Sequence, residues 1–117
     1  MAVARLLMRH GFEVIYLGRF NTPEKFGRVA ADEDAEVVGV SVHSWEFLGY
    51  ADDLVAAARE AGAAVVVGGA VITEGDRAEL TRKGVDAVFG SWAGEDQIVT
   101  TLDALVAEVR ARRAAPA

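Results

Sequence analysis

Glu36-Val37-Val38-Gly39-Val40-Ser41-Val42 is the stretch on which the fold turns. Its near-continuous apolar run, Val37-Val38-Gly39-Val40, lacks polar alternation, so it predicts a strand in a parallel sheet covered on both faces. Ala64 to Val67 repeats the signal after a helical stretch, and Asp86 to Phe89 gives it again after another. Between the strands the apolar period changes from strand to helix. From about Glu46 to Glu60, Phe47, Leu48, Ala51, Leu54, Val55 and Ala58 share one helical stripe, which Gly62 closes. Asp76 to Arg82 predicts a short helix ended by Gly84.

Outward towards the N-terminus, Thr22-Pro23-Glu24 starts a helix with an N-cap hydroxyl, a proline at the first turn and an acid facing the helix dipole. It is expected to run to about Asp32. Phe12 to Leu17 reads as a further strand, and Met1 to His10 as a helix with Val3, Leu6 and Leu7 on one face, ended by Gly11. Towards the C-terminus, Glu95 to about Arg112 forms the final helix, with Ile98, Leu102, Leu105 and Val109 inward. Arg110, Arg112 and Arg113 suit its C-terminal end. Residues 1–113 then make one domain, and Ala114 to Ala117 a disordered tail. Single helices between strands require right-handed crossovers, which place helices on both faces of the sheet. Ligands of such sheets bind at the carboxyl ends of the strands, so the loops after Leu17, Val42, Val67 and Phe89 hold the candidate site.

Composition narrows the function. The 117 residues are 52% hydrophobic, which suits one core and no second one. A net charge of −6 gives no clustered positive field for a nucleic-acid backbone. The absence of cysteine removes disulfides and thiolate chemistry and fits a reducing cytoplasm. No apolar run approaches the roughly 20 residues that span a bilayer, and the start lacks a signal-peptide pattern.

Read in order, Gly11-Phe12-Glu13-Val14-Ile15-Tyr16-Leu17-Gly18, Asn21-Thr22-Pro23-Glu24, Val38-Gly39-Val40-Ser41, Val65-Val66-Val67-Gly68-Gly69 and Ala87-Val88-Phe89-Gly90 form a series in register. The chain resembles the B12-binding domain of methylmalonyl-CoA mutase and the small subunits of related acyl-CoA mutases, from Ala2 to about Val109. The resemblance implies a flavodoxin-like α/β fold that holds adenosylcobalamin for a separate barrel subunit carrying the substrate. It implies no catalytic residue on this chain.

That family has three binding signatures: an Asp-x-His-x-x-Gly loop, a Ser-x-Leu segment and a Gly-Gly pair. Ser41-Val42-His43 stands at the second, with His43 where leucine is usual, and Gly68-Gly69 at the third. The resemblance sets Ser41, Val42, His43, Gly68, Gly69 and Ala70 against the cofactor's nucleotide tail, with Phe89, Gly90, Ser91 and Gly94 near its far end. The first signature, which supplies the cobalt-ligating histidine, belongs between the family's first strand and first helix. Met1 falls just after that point, so the expected domain lacks its first strand and the polypeptide is expected to begin upstream.

Other readings of the same residues stay open. His43 lines the pocket or is a loop histidine beside Trp45, and His10 suits a helix C-terminus. Trp45 and Trp92 wall a flat ligand, serve a partner's docking surface, or cover strand ends. Asp52, Asp53, Glu74 and Asp76 lack metal spacing and read as solvated. Ser41 and His43 lack a nucleophile turn, and Gly68-Gly69-Ala70 is no dinucleotide loop. A cofactor-free interaction module and a corrinoid carrier for methyl transfer are the rival functions.

Overall fold

The computed structural model describes residues 2–17, 21–42, 45–69 and 72–115, without the side chains of Ala2, Trp45 and Glu46. Its elements are α1 (Ala2–Arg9), α2 (Pro23–Asp32), β1 (Val37–Ser41), α3 (Ala51–Glu60), β2 (Ala64–Gly68), α4 (Glu74–Arg82), β3 (Ala87–Phe89) and α5 (Glu95–Ala114), with a short 3-10 turn at Trp45–Gly49. The strands form a three-stranded parallel sheet in the order β1-β2-β3. This is the flavodoxin-like α/β arrangement that the apolar runs require.

Strand alternation divides the sheet into two faces. Val38, Val65, Val67 and Val88 point to the face that carries the main core, with Ala30 of α2, Leu54 and Ala58 of α3, and Leu80 of α4. Leu54, Val65 and Val67 are fully buried, which contributes about 1.5–3 kcal/mol each relative to exposure. Ala64 and Val66 are buried on the opposite face, outside that cluster, as are Leu102 and Val109 of α5, the helix that contacts β1. At Gly27, α2 lies so close to α3 that a Cβ would stand 3.0 Å from that of Ala57.

Helix ends follow their sequence signals. The Thr22 side chain accepts from the Lys25 N–H at 3.2 Å, and Gly11, Gly62 and Gly84 take positive φ after α1, α3 and α4. Helix α4 begins earlier than the expected Asp76, because Thr73 and Asp76 form a reciprocal capping box. The stripe from Phe47 to Ala58 is buried except for the half-buried Leu48, yet the helix is not continuous. The chain makes the 3-10 turn, breaks at Gly49-Tyr50 and only then enters α3, as the weak helix propensity of glycine favours. Phe47 and Tyr50 meet edge to face at 4.7 Å across this break. Burial raises the Tyr50 phenol above its ordinary pKa.

Three expectations are corrected. Phe12 to Leu17 is not a strand: among the described residues it has no ladder partner, and Ile15 and Tyr16 are exposed. A β-rich sequence becomes a strand only when a neighbour satisfies its backbone, and β1 pairs on one side only, with β2. Nor is β1 covered on both faces, since Gly39 and Ser41 are exposed while Val38 is buried. On α1, Leu6 is buried and Val3 is exposed, so the expected face is only partly used. Pro116 and Ala117 of the expected tail lie outside the described residues, and α5 already includes Ala114.

Candidate functional site

Parallel strands end at one edge, which gathers loops that are distant in sequence. Ser41 is in register with Gly68, and Gly68 with Phe89, so the last residues of all three strands form one row. Register partners in parallel strands point to the same face, here the face opposite the main core. A serine and an aromatic residue therefore flank a position without a side chain. Ser41 is exposed, Gly68 and Phe89 are half-buried, and among the described residues the Ser41 hydroxyl has no hydrogen-bond partner.

The ladder continues one residue past β1 and one past β2. The Val42 N–H donates to the Gly68 carbonyl at 2.7 Å, and the Gly69 N–H donates to the Phe89 carbonyl at 2.9 Å. The two glycines have different roles. A Cβ on Gly68 would find only ordinary contact, 3.5 Å from the Phe89 carbonyl oxygen, whereas one on Gly69 would collide with the carbonyl oxygen of Val42. Gly69 therefore lets β1 and β2 close at their ends. Gly68 leaves backbone open in the middle of the row.

Beyond Phe89, Gly90 lies under the ring of Trp92, whose six-membered edge fills the place a Cβ would take. The guanidinium carbon of Arg77, on α4, stands 5.9 Å from the centroid of that ring. Trp92 is 43% exposed, so it sits at the surface of the edge and not in the core. Ser91 is exposed, and Gly94 is the N-cap of α5 with open space around it. The structure thus brings together Ser41, Val42, Gly68, Gly69, Phe89 and Gly90. His43 and Ala70 lie outside the described residues, as does the side chain of Trp45.

Among the described residues no group of histidine, cysteine, aspartate and glutamate is arranged to hold a metal ion. Asp52 pairs with Lys83 at 2.9 Å on the surface, and Asp76 belongs to the capping box, so neither is part of a reactive cluster. His10 is exposed just beyond the end of α1. Sequence reading did not identify Arg77 as the partner of Trp92. Its spacing from Trp92 has no periodic signal, because the contact joins a helix to a loop.

Parallel strands with a glycine-lined carboxyl edge among the described residues place the chain in the flavodoxin-like class of α/β domains. Comparison with known proteins resolves the class further. Residues 1–100 match the family model described as the B12 binding domain, and the chain belongs to that family. It is 35% identical over 114 residues to the pivalyl-CoA mutase small subunit of Xanthobacter autotrophicus, covering 95% of this chain and 76% of that one. It is 34% identical over 112 residues to the 2-hydroxyisobutanoyl-CoA mutase small subunit of Aquincola tertiaricarbonis, covering 94% and 82%. It is related also to methylmalonyl-CoA mutase. The signal receiver domain of a modulated diguanylate cyclase from Desulfovibrio desulfuricans superposes with a TM-score of 0.66 at 14% identity, over 95% of this chain and 86% of that one, which speaks for the fold alone. No helix among the described residues is long and apolar enough to cross a membrane.

Proposed function

We propose that this chain is the adenosylcobalamin-binding component of an acyl-CoA mutase, working in the cytoplasm with a large barrel subunit that holds the substrate. The observation that carries the reading is the row Ser41-Gly68-Phe89 at the carboxyl edge, in a chain of the B12-binding family. Residues 1–113 form the binding domain, and α5 runs one residue further, to Ala114.

The residues present suit the cofactor's nucleotide tail. Gly68 gives a flat ring access to the backbone, the unpartnered Ser41 hydroxyl can bond to a ring nitrogen, and Phe89 supplies an apolar flank. The family resemblance also assigns Val42, His43, Gly69 and Ala70 to the tail and Gly90, Ser91 and Gly94 to its far end; the Val42 side chain itself is buried in the main core. When bound, the cofactor supplies radical carbon-skeleton chemistry. The chain's own residues bind and orient it and exclude water; none is assigned to proton transfer or to cobalt. Relatives named as small subunits of mutases support a large partner.

Equilibrium dialysis of the chain against adenosylcobalamin tests the proposal, with and without a large mutase subunit. Saturable retention is expected, and Ser41→Ala should weaken it about two- to thirteenfold, as loss of one hydrogen bond of about 0.5–1.5 kcal/mol implies. No retention in either setting overturns the proposal and leaves the family fold serving as an interaction module.

A further inference from the structure

We infer that the cavity at the end of α5 binds a compact organic carboxylate, one whose apolar body is about the size of a benzene ring. It lies at the amino ends of the strands, opposite the row Ser41-Gly68-Phe89, and does not depend on the cobalamin reading. The cavity has a volume of about 180 Å³ and is lined by Arg59, Gly62, Ala63, Val109, Arg112 and Arg113. Its floor is apolar, since Ala63 and Val109 are each 1% exposed. Its rim is cationic, because α3 brings Arg59 to it and α5 brings Arg112 and Arg113. A cavity of about 150 Å³ is enough for benzene, so an acid of that bulk can lay its body on the floor with its carboxylate at the rim.

The charges of the rim are unevenly compensated. Arg59 is matched by Asp86, whose carboxylate oxygens stand 3.0 and 3.2 Å from its terminal nitrogens. Arg113 has only Asp34 at 4.0 Å, a side chain that is 95% exposed, and donates instead to the carbonyls of Asp34, Ala35 and Gly62. The Arg112 side chain has no partner among the described residues, which leaves all its N–H donors for a ligand. Arg112 and Arg113 thus stand without a close carboxylate in a chain of net charge −6. The carbonyls that hold Arg113 fix it beside the cavity before a ligand arrives, which lowers the ordering cost of binding. Arg112 adds the planar fork that a carboxylate engages through both oxygens.

Proton–nitrogen NMR titrations of the full chain test the site with three probes at matched ionic strength. Benzoate carries both charge and body, benzamide the body without the charge, and acetate the charge without the body. Benzoate is expected to shift the Gly62 and Ala63 amide signals saturably, with a half-point at about 1 mM, the scale for a ligand of this size. Benzamide and acetate should leave those signals in place over the same range. Arg112→Gln should raise the benzoate half-point at least about tenfold, and Arg112→Lys should recover only part of the loss, because an ammonium lacks the fork. Arg112 is exposed, so the remaining amide signals should report an unchanged fold in both variants. Absence of a saturable benzoate shift overturns the inference. So does an equal response to benzamide or acetate, or an unchanged half-point in Arg112→Gln.

Discussion

Gly69 shows how much a single residue decides at this edge. Its missing Cβ is required by the carbonyl oxygen of Val42, whereas a Cβ on Gly68 would find only ordinary contact. Gly69→Ala is expected to lower stability by about 1–3 kcal/mol, the usual penalty of overpacking, measured by urea denaturation. Gly49→Ala, where the added methyl meets nothing within 4 Å, should stay within about 0.5 kcal/mol of wild type. Equal effects at the two sites would show that the Val42 contact does not constrain Gly69. Asp86 is a second residue with a role beyond its class. Its carboxylate accepts from the Val65 N–H at 2.8 Å and from both terminal nitrogens of Arg59, at 3.0 and 3.2 Å. It thereby pins the start of β2 to the approach to β3.

At the scale of elements, α4 carries Arg77 to the Trp92 ring. Its first turn is closed by the Thr73 and Asp76 side chains, each accepting at 3.1 Å from the other's backbone N–H. Thr73→Ala should cost about 1 kcal/mol, seen as a lower Tm of a few degrees in a thermal melt. An unchanged Tm would mean that the box is not formed in solution. This helix start was poorly legible in sequence, because Glu74-Gly75 has weak helical character and Asp76 reads equally well as an N-cap itself. Thr22-Pro23-Glu24 was legible, because three independent signals agree there. The failed strand at Phe12 to Leu17 shows the converse. Local preference was met, but strand formation depends on a neighbour's backbone, which lies outside the segment.

At the scale of the molecule, Arg113 ties the end of α5 to the edge opposite the site. It donates to the carbonyls of Asp34 and Ala35 at 3.2 and 2.7 Å, and of Gly62 at 3.1 Å, joining the turns before β1 and β2. Arg113→Ala should lower stability by about 1–2 kcal/mol in urea, and Arg113→Lys should not restore it, since an ammonium cannot span the guanidinium fork. Full rescue by lysine would reduce the contact to simple charge. Sequence alone determined the parallel α/β class and the helix boundaries marked by caps and glycines, because these follow from periodicity and local backbone preference. The tertiary structure decided which strands exist, that Gly68 and Gly69 serve different ends, and that Trp92 lies over Gly90 under Arg77. Each of those depends on approach between segments far apart in the chain, and local sequence does not encode such distances.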